Sequence, residues 1–263
     1  IFTSVNPTTV ETDAAGLGCG VCTWAEAATL ITNNNNNKAF FMVVVNFEDV
    51  KIEAFIRLKN QPHYHLTILV LPPEFYQQNN VVTIARKLLG KVLVTCKQGE
   101  VTAGRIIETE AYSYKERGCH AYNNKQTQRN EVMFARGGVA YVYLCYGIHN
   151  LFNVVTNKSG RAEAVLIRAL EPVDGVEIMM HRMNTSKAVR ITSGPGKLTR
   201  ALGIDRSLNG ASLTHSEITI LHENAINSKN IEATTRIGID YAGTDALLPW
   251  RFYLKDNEWV SKW

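Results

Sequence analysis

No apolar stretch of this chain approaches the roughly 20 residues that a membrane-spanning helix requires; the longest, Ala39 to Val45, is far shorter. A basic segment leading into an apolar core and a small-residue cleavage site is also missing, so a secretory leader is not expected. Cysteine is scarce: Cys19, Cys22, Cys96, Cys119 and Cys145 make five, an odd number without framework spacing, which excludes a disulfide scaffold and favours a reducing, intracellular compartment. Cys19-Gly20-Val21-Cys22 forms a CxxC, but pairing it with His63 and His65 into a zinc site needs a very long ligand gap. Two unpaired thiols are the plainer reading. Charge of one sign is lacking too, with 28 Lys+Arg against 24 Asp+Glu. No internal repeat is visible, and Gly194-Pro195-Gly196-Lys197 lacks the spacing of a nucleotide-hydrolysing phosphate loop.

What is present divides near residue 71. Residues 1–70 hold 4 basic and 6 acidic side chains, and residues 71–263 hold 24 and 18. The basic excess therefore lies in the second part, which suits a polyanionic partner without requiring one. The first part is rich in Gly, Thr and Asn and contains five consecutive asparagines, Asn33 to Asn37. Such tracts bury too little apolar surface to offset ordering entropy. We expect residues 1–70 to be a poorly ordered or loosely docked extension, with strands at Phe40 to Val45 and His65 to Leu71 pairing with each other or docking on the rest. A single domain is expected over 71–263.

That domain opens with a short proline-led helix at Pro72 to Tyr76. A second helix, capped by Asn80 and ended by Gly90, carries Val81, Ile84, Ala85, Leu88 and Leu89 at helical spacing. Lys91 to Cys96 and Val101 to Ala111 read as a hairpin around Lys97-Gln98-Gly99-Glu100. Val139 to Cys145 and Ile148 to Thr156 read as another, with Tyr146-Gly147 at its tip. Ala164 to Leu170 is an apolar strand, Gly175 to Ala188 a helix, Ser193 to Leu202 a glycine-opened helix, and Arg236 to Ile239 and Trp250 to Leu254 are further strands.

Chemistry concentrates in Glu108-Thr109-Glu110-Ala111-Tyr112. A period of two places both glutamates on one strand face. Two buried like charges repel, so at least one must be paired or face water; two solvated acids at a sheet edge is the bland alternative. Arg168 lies inside the run Val165 to Leu170, where burial is costly unless an anion such as Glu108 or Glu110 meets it. Tyr141 and Tyr143 share a strand face, either lining a cleft for a flat ring or packing beneath a helix. Tyr112 to Asn130 is polar, irregular and long enough to be functional, with His120 inside it.

These segments, taken in order with Thr127-x-Arg129-Asn130, Asn153-Val154, Leu166 to Pro172 and Gly194 to Leu198, resemble the alkyladenine (3-methyladenine) DNA glycosylase family. The similarity spans about residues 71 to 263. It implies an α+β fold: one mixed domain with a curved, mostly antiparallel sheet flanked by helices and a protruding hairpin that intercalates into DNA. No metal or other cofactor is implied. The expected partner is double-stranded DNA containing damaged purines, met by a monomer without membrane attachment, in the nucleoid or cytoplasm of a bacterium or the nucleus of a eukaryote. By the same resemblance Glu110 is the general base that activates water, positioned with Arg168 and the carbonyl of Ile237. Tyr112, His120, Tyr143 and Asn153 form the base pocket, and Tyr146 fills the space left by the flipped nucleotide. Lys125, Thr127, Ile148, His149 and Lys197 contact DNA beside it. A carboxylate-pair glycosidase is disfavoured, because residues i and i+2 on a strand point the same way instead of flanking a substrate. A non-catalytic damage binder is the other alternative.

Overall fold

The structure, a computed structural model, describes residues 40–46, 51–57 and 64–262. Its contacts divide the chain into two compact units, Ile1–Leu69 and Val70–Trp263. In the first, β1 (Phe40–Asn46), β2 (Lys51–Arg57) and β3 (Tyr64–Leu69) make a three-stranded antiparallel sheet in sequence order. The two expected strands thus do not pair directly; β2 lies between them. The asparagine tract and the Cys19–Cys22 pair lie outside the described residues.

The second unit begins with α1 (Pro73–Tyr76) and α2 (Val81–Leu88), the latter capped as its sequence predicts, with Asn80 Oδ1 accepting from the Thr83 N–H at 3.1 Å. Val81, Ile84, Ala85 and Leu88 recur at the helical period and are all buried. Val81, Ile84 and Leu88 each contribute about 1.5–3 kcal/mol by leaving water. β4 (Val92–Lys97) turns into β5 (Glu100–Ser113), the longest strand. β6 (Ala140–Cys145) and β7 (His149–Val155) form a hairpin joined by Tyr146, Gly147 and Ile148. β8 (Glu163–Asp174), α3 (Val176–Met183), α4 (Pro195–Leu202), β9 (Ile218–Leu221), β10 (Ile231–Thr234) and β11 (Arg251–Leu254) follow. Eight strands make one antiparallel sheet in the order β10-β11-β5-β8-β7-β6, with β4 branching from β5 and β9 pairing with β4. The α+β reading therefore holds.

β5 is the spine of this sheet. β8 runs along one side of it, while β4 takes its first half and β11 its second on the other side. Three register shifts against β8, two of them flanking Glu108, bend the strand there. α2 packs on one face, where Thr109 Oγ1 donates to the Ala85 carbonyl at 3.0 Å. Thr109 points that way because its neighbours Glu108 and Glu110 point the other. The core joins Leu71, Ile84, Ile106, Phe152, Leu198 and Phe252 into one buried cluster.

Two expectations change. Arg236 to Ile239 is not a strand: the strand is β10, and Gly238 at φ +74° bends the chain after it. The helix expected to reach Ala188 stops at Met183, followed by Asn184 in the left-handed conformation.

Candidate active site

The sheet register builds the site. Arg251, Glu110, Leu166, Asn153 and Tyr141 stand opposite one another across β11, β5, β8, β7 and β6, so their side chains share one face. Glu108 and Glu110 are both fully buried, which overturns the solvated-edge alternative.

Burying two carboxylates demands compensation, and each receives it differently. Glu108 Oε1 accepts from Arg168 Nε at 3.1 Å, Arg251 Nε at 2.7 Å and Ser261 Oγ at 2.8 Å; its Oε2 accepts from the Ser261 N–H at 2.8 Å. Glu110 Oε1 accepts from the Ile237 N–H at 2.9 Å and lies 3.3 Å from Arg168 Nη1, and its Oε2 accepts from Tyr112 Oη at 2.8 Å. Desolvation raises the Glu110 pKa above the ordinary carboxylate value, against the opposing pull of Arg168, Tyr112 and the Ile237 N–H. The structure thus brings Glu110, Arg168, Tyr112 and Ile237 together, with the N–H of Ile237 as the group that touches Glu110.

Arg236, one residue before Ile237, is a participant that the sequence reading did not single out. Its Nη1 and Nη2 donate to Glu116 Oε1 and Oε2 at 2.7 and 2.8 Å, and further bonds reach the carbonyls of Ala111 and Asp245. The guanidinium lies over the rings of Tyr112 at 4.8 Å and Trp250 at 5.2 Å. This clamp fixes both the segment that carries the Ile237 N–H and the ring that caps Glu110.

The aromatic side of the site is joined through His120. Its Nδ1 shares a hydrogen bond with Tyr141 Oη at 3.0 Å, and its ring meets that of Tyr143 edge-on at 4.6 Å. Desolvation and the positive charge of Arg129, whose guanidinium lies 5.5 Å from the Tyr143 ring, lower the His120 pKa to about 4. His120 is therefore neutral at physiological pH. Tyr112 and Tyr143 both pack on the small cluster around Cys119, Met133 and Tyr141. Asn153 is buried, its amide donating to the Tyr141 carbonyl at 3.2 Å.

His120 is exposed, as are the remaining candidates. Tyr146 is 88% accessible at the β6–β7 tip, with φ +50°, and Ile148 is 72% accessible beside it. Ile148, His149 and Lys197 line one open groove, which also admits Arg182 and Arg200. His149 packs so closely on the start of α4 that a Cβ at Gly196 would meet its Cγ at 2.8 Å. Lys125 and Thr127 sit on a loop organised by buried Asn130, whose side chain bonds the Thr127 N–H and the carbonyls of Lys125 and His120. Asn130 is a second residue whose role emerges from the structure.

By fold this is an α+β protein built on an eight-stranded antiparallel sheet. A family model described as methylpurine-DNA glycosylase matches residues 74–258. The chain is 45% identical over 197 residues to a protein of Desulfitobacterium hafniense (strain Y51) named "Putative 3-methyladenine DNA glycosylase", an overlap covering 72% of this chain and 96% of that one. A protein of the same name from Carboxydothermus hydrogenoformans is 49% identical over 195 residues, 74% of this chain and 100% of its own length. One from Chlamydia felis is 46% identical over 188 residues, covering 70% and 96%. The chain belongs to the methylpurine-DNA glycosylase family, which makes it a base-excision-repair enzyme that acts on N-glycosyl bonds in DNA.

Proposed function

We propose that the protein is a monofunctional glycosylase that flips alkylated or deaminated purines out of duplex DNA and hydrolyses their N-glycosidic bond with water activated by Glu110. The substrates are of the 3-methyladenine, 7-methylguanine, hypoxanthine and ethenoadenine class. The observation that carries this reading is the buried Glu110 carboxylate, held by Tyr112, Arg168 and the Ile237 N–H along a row that ends at the tyrosines of β6.

In this reading Tyr112, His120 and Tyr143 sandwich the flipped ring, and Asn153 stands at the pocket wall. An alkylated purine is already a cationic leaving group. Glu110 takes a proton from water as the water oxygen bonds to C1′, the C1′–N bond breaks, and its electron pair stays on the departing base; a neutral base such as hypoxanthine must also gain a proton as it leaves. The carboxylate also stabilises the oxocarbenium-like sugar, and the Ile237 carbonyl assists Arg168 in orienting the water. Extruding a nucleotide costs a few kcal/mol, part of which Tyr146 offsets by filling the gap from the minor groove. Lys125, Thr127, Ile148, His149 and Lys197 fix the duplex without reading its bases. Residues 71–263 perform the reaction as an intracellular monomer, and residues 1–70 take no part in it.

Incubation with duplexes carrying each of the four lesions, followed by alkaline cleavage, tests the reading. Base release with the strand intact until alkali is added is expected, because water and not an amine is the nucleophile. Strand cleavage without alkali, or a trapped Schiff base, would contradict it.

A further inference from the structure

Arg168 faces two carboxylates at once, Glu108 through Nε and Glu110 through Nη1. A guanidinium is a rigid planar fork, so the carboxylate that holds one edge sets where the other edge points. Glu108 is itself held from two further elements: Arg251 on β11, and Ser261 near the C-terminus through both hydroxyl and backbone N–H. The segment carrying Ser261 is tied down in turn. Ser193 Oγ donates to the Trp259 carbonyl at 2.6 Å, Arg190 Nη2 to the Val260 carbonyl at 2.8 Å, and Asn257 Nδ2 to Glu171 Oε2 at 3.1 Å.

We infer that Glu108 is a positioning residue for the glycosylase reaction and that the C-terminal segment around Ser261 is the latch that locks it, so that Arg168 presents Nη1 to Glu110. The inference rests on Glu110 being the base. Glu108 has no free approach to substrate; with four donors upon it, its consequence runs through Arg168.

Glu110 is faced by Arg168 from β8, Glu108 and Tyr112 from β5, Arg251 from β11, and Arg236 with the Ile237 N–H from the segment after β10. Among them Glu108 is a like charge that pushes the Glu110 pKa up, and Arg168 pulls it down. Replacing Glu108 by Gln removes the repulsion and the counter-charge that Arg168 and Arg251 share. Arg168 then loses its fixed orientation, and because its pull on Glu110 outweighs the Glu108 repulsion, the Glu110 pKa rises.

The test measures single-turnover base release from a hypoxanthine duplex across pH, with duplex affinity and thermal midpoint, for the full chain, Glu108→Gln, Ser261→Ala and Glu110→Gln. For Glu108→Gln the plateau rate falls by about 100-fold, the scale of a 1 Å misplacement. Its acid limb moves to higher pH and its affinity for the duplex is kept. Ser261→Ala, which loses one hydroxyl and keeps the backbone donor, shows a smaller rate loss with affinity and midpoint retained. A wild-type rate and an unmoved limb in Glu108→Gln overturn the inference; should that variant fail to fold, a wild-type rate in Ser261→Ala does so by itself. Base release by Glu110→Gln at the wild-type rate is a separate outcome, which removes the reading underneath.

Discussion

Tyr112 and Glu110 lie two residues apart on β5, and the phenol donates to the carboxylate at 2.8 Å. One strand thus supplies both a buried carboxylate and the donor that steadies it. The bond lowers the Glu110 pKa against the larger effect of desolvation.

Tyr112→Phe keeps the ring and removes the donor. The Glu110 pKa then rises, so the acid limb of the pH–rate profile shifts to higher pH, the same direction as expected for Glu108→Gln. Losing a hydrogen bond to a charged group costs about 1.5–3 kcal/mol, and the rate at neutral pH drops accordingly. A pH–rate profile for the variant checks this; an unmoved limb would show that the bond does not act on the base.

The raised pKa of Glu110 also has a stability consequence. The folded protein holds that proton more tightly than the unfolded chain, so the contribution is present below the ordinary carboxylate pKa and is lost as pH rises through the folded value. At neutral pH Glu110→Gln is therefore expected to melt higher than the parent, by about 2–4 °C for each 1 kcal/mol relieved in a unit of this size. Calorimetry at two pH values checks the sign, and a lower midpoint at neutral pH would contradict it.

Arg236 and Glu116 form a buried, bidentate pair with 0% and 3% side-chain exposure. Removing one partner leaves the other charge uncompensated, at a cost of about 3–5 kcal/mol. Arg236→Ala should therefore lose both denaturant stability and base release, because Ile237 and the Tyr112 ring lose their support. Retention of full activity would show that the clamp does not position the site.

Tyr146→Ala tests the hairpin tip. With 88% of the residue exposed, its removal should leave the melting temperature unchanged. Lesion-duplex affinity should weaken by about 1–3 kcal/mol, the range for loss of an aromatic contact with nucleic acid. Fluorescence titration of a labelled duplex measures it, and undiminished affinity would rule out intercalation by this residue.

Much of the site was legible because its signals are local. Asn80 before a helical pattern, period-two glutamates and an arginine inside an apolar strand each carry a physical demand that the fold must meet. The Arg168 demand named its own partners, and both proved to be bound. Arg236 was missed because Glu116, its partner, sits in an irregular loop 120 positions away, and no periodicity links them. Ser261 was missed for a similar reason, since one of its bonds to Glu108 uses backbone alone. Arg236 to Ile239 looked like a strand because two isoleucines alternate there, yet Gly238 supplies the positive φ that ends the extended run. That glycine was the available signal. Asn130 could have been found as an Asx-type anchor in a polar loop.

The most direct measurement compares base release and duplex binding by the wild-type chain and Glu110→Gln on DNA containing a single hypoxanthine. The wild type should free the base and leave an abasic site, while the variant should bind the same duplex with similar affinity and release nothing. Release by Glu110→Gln at the wild-type rate would contradict the account at its centre.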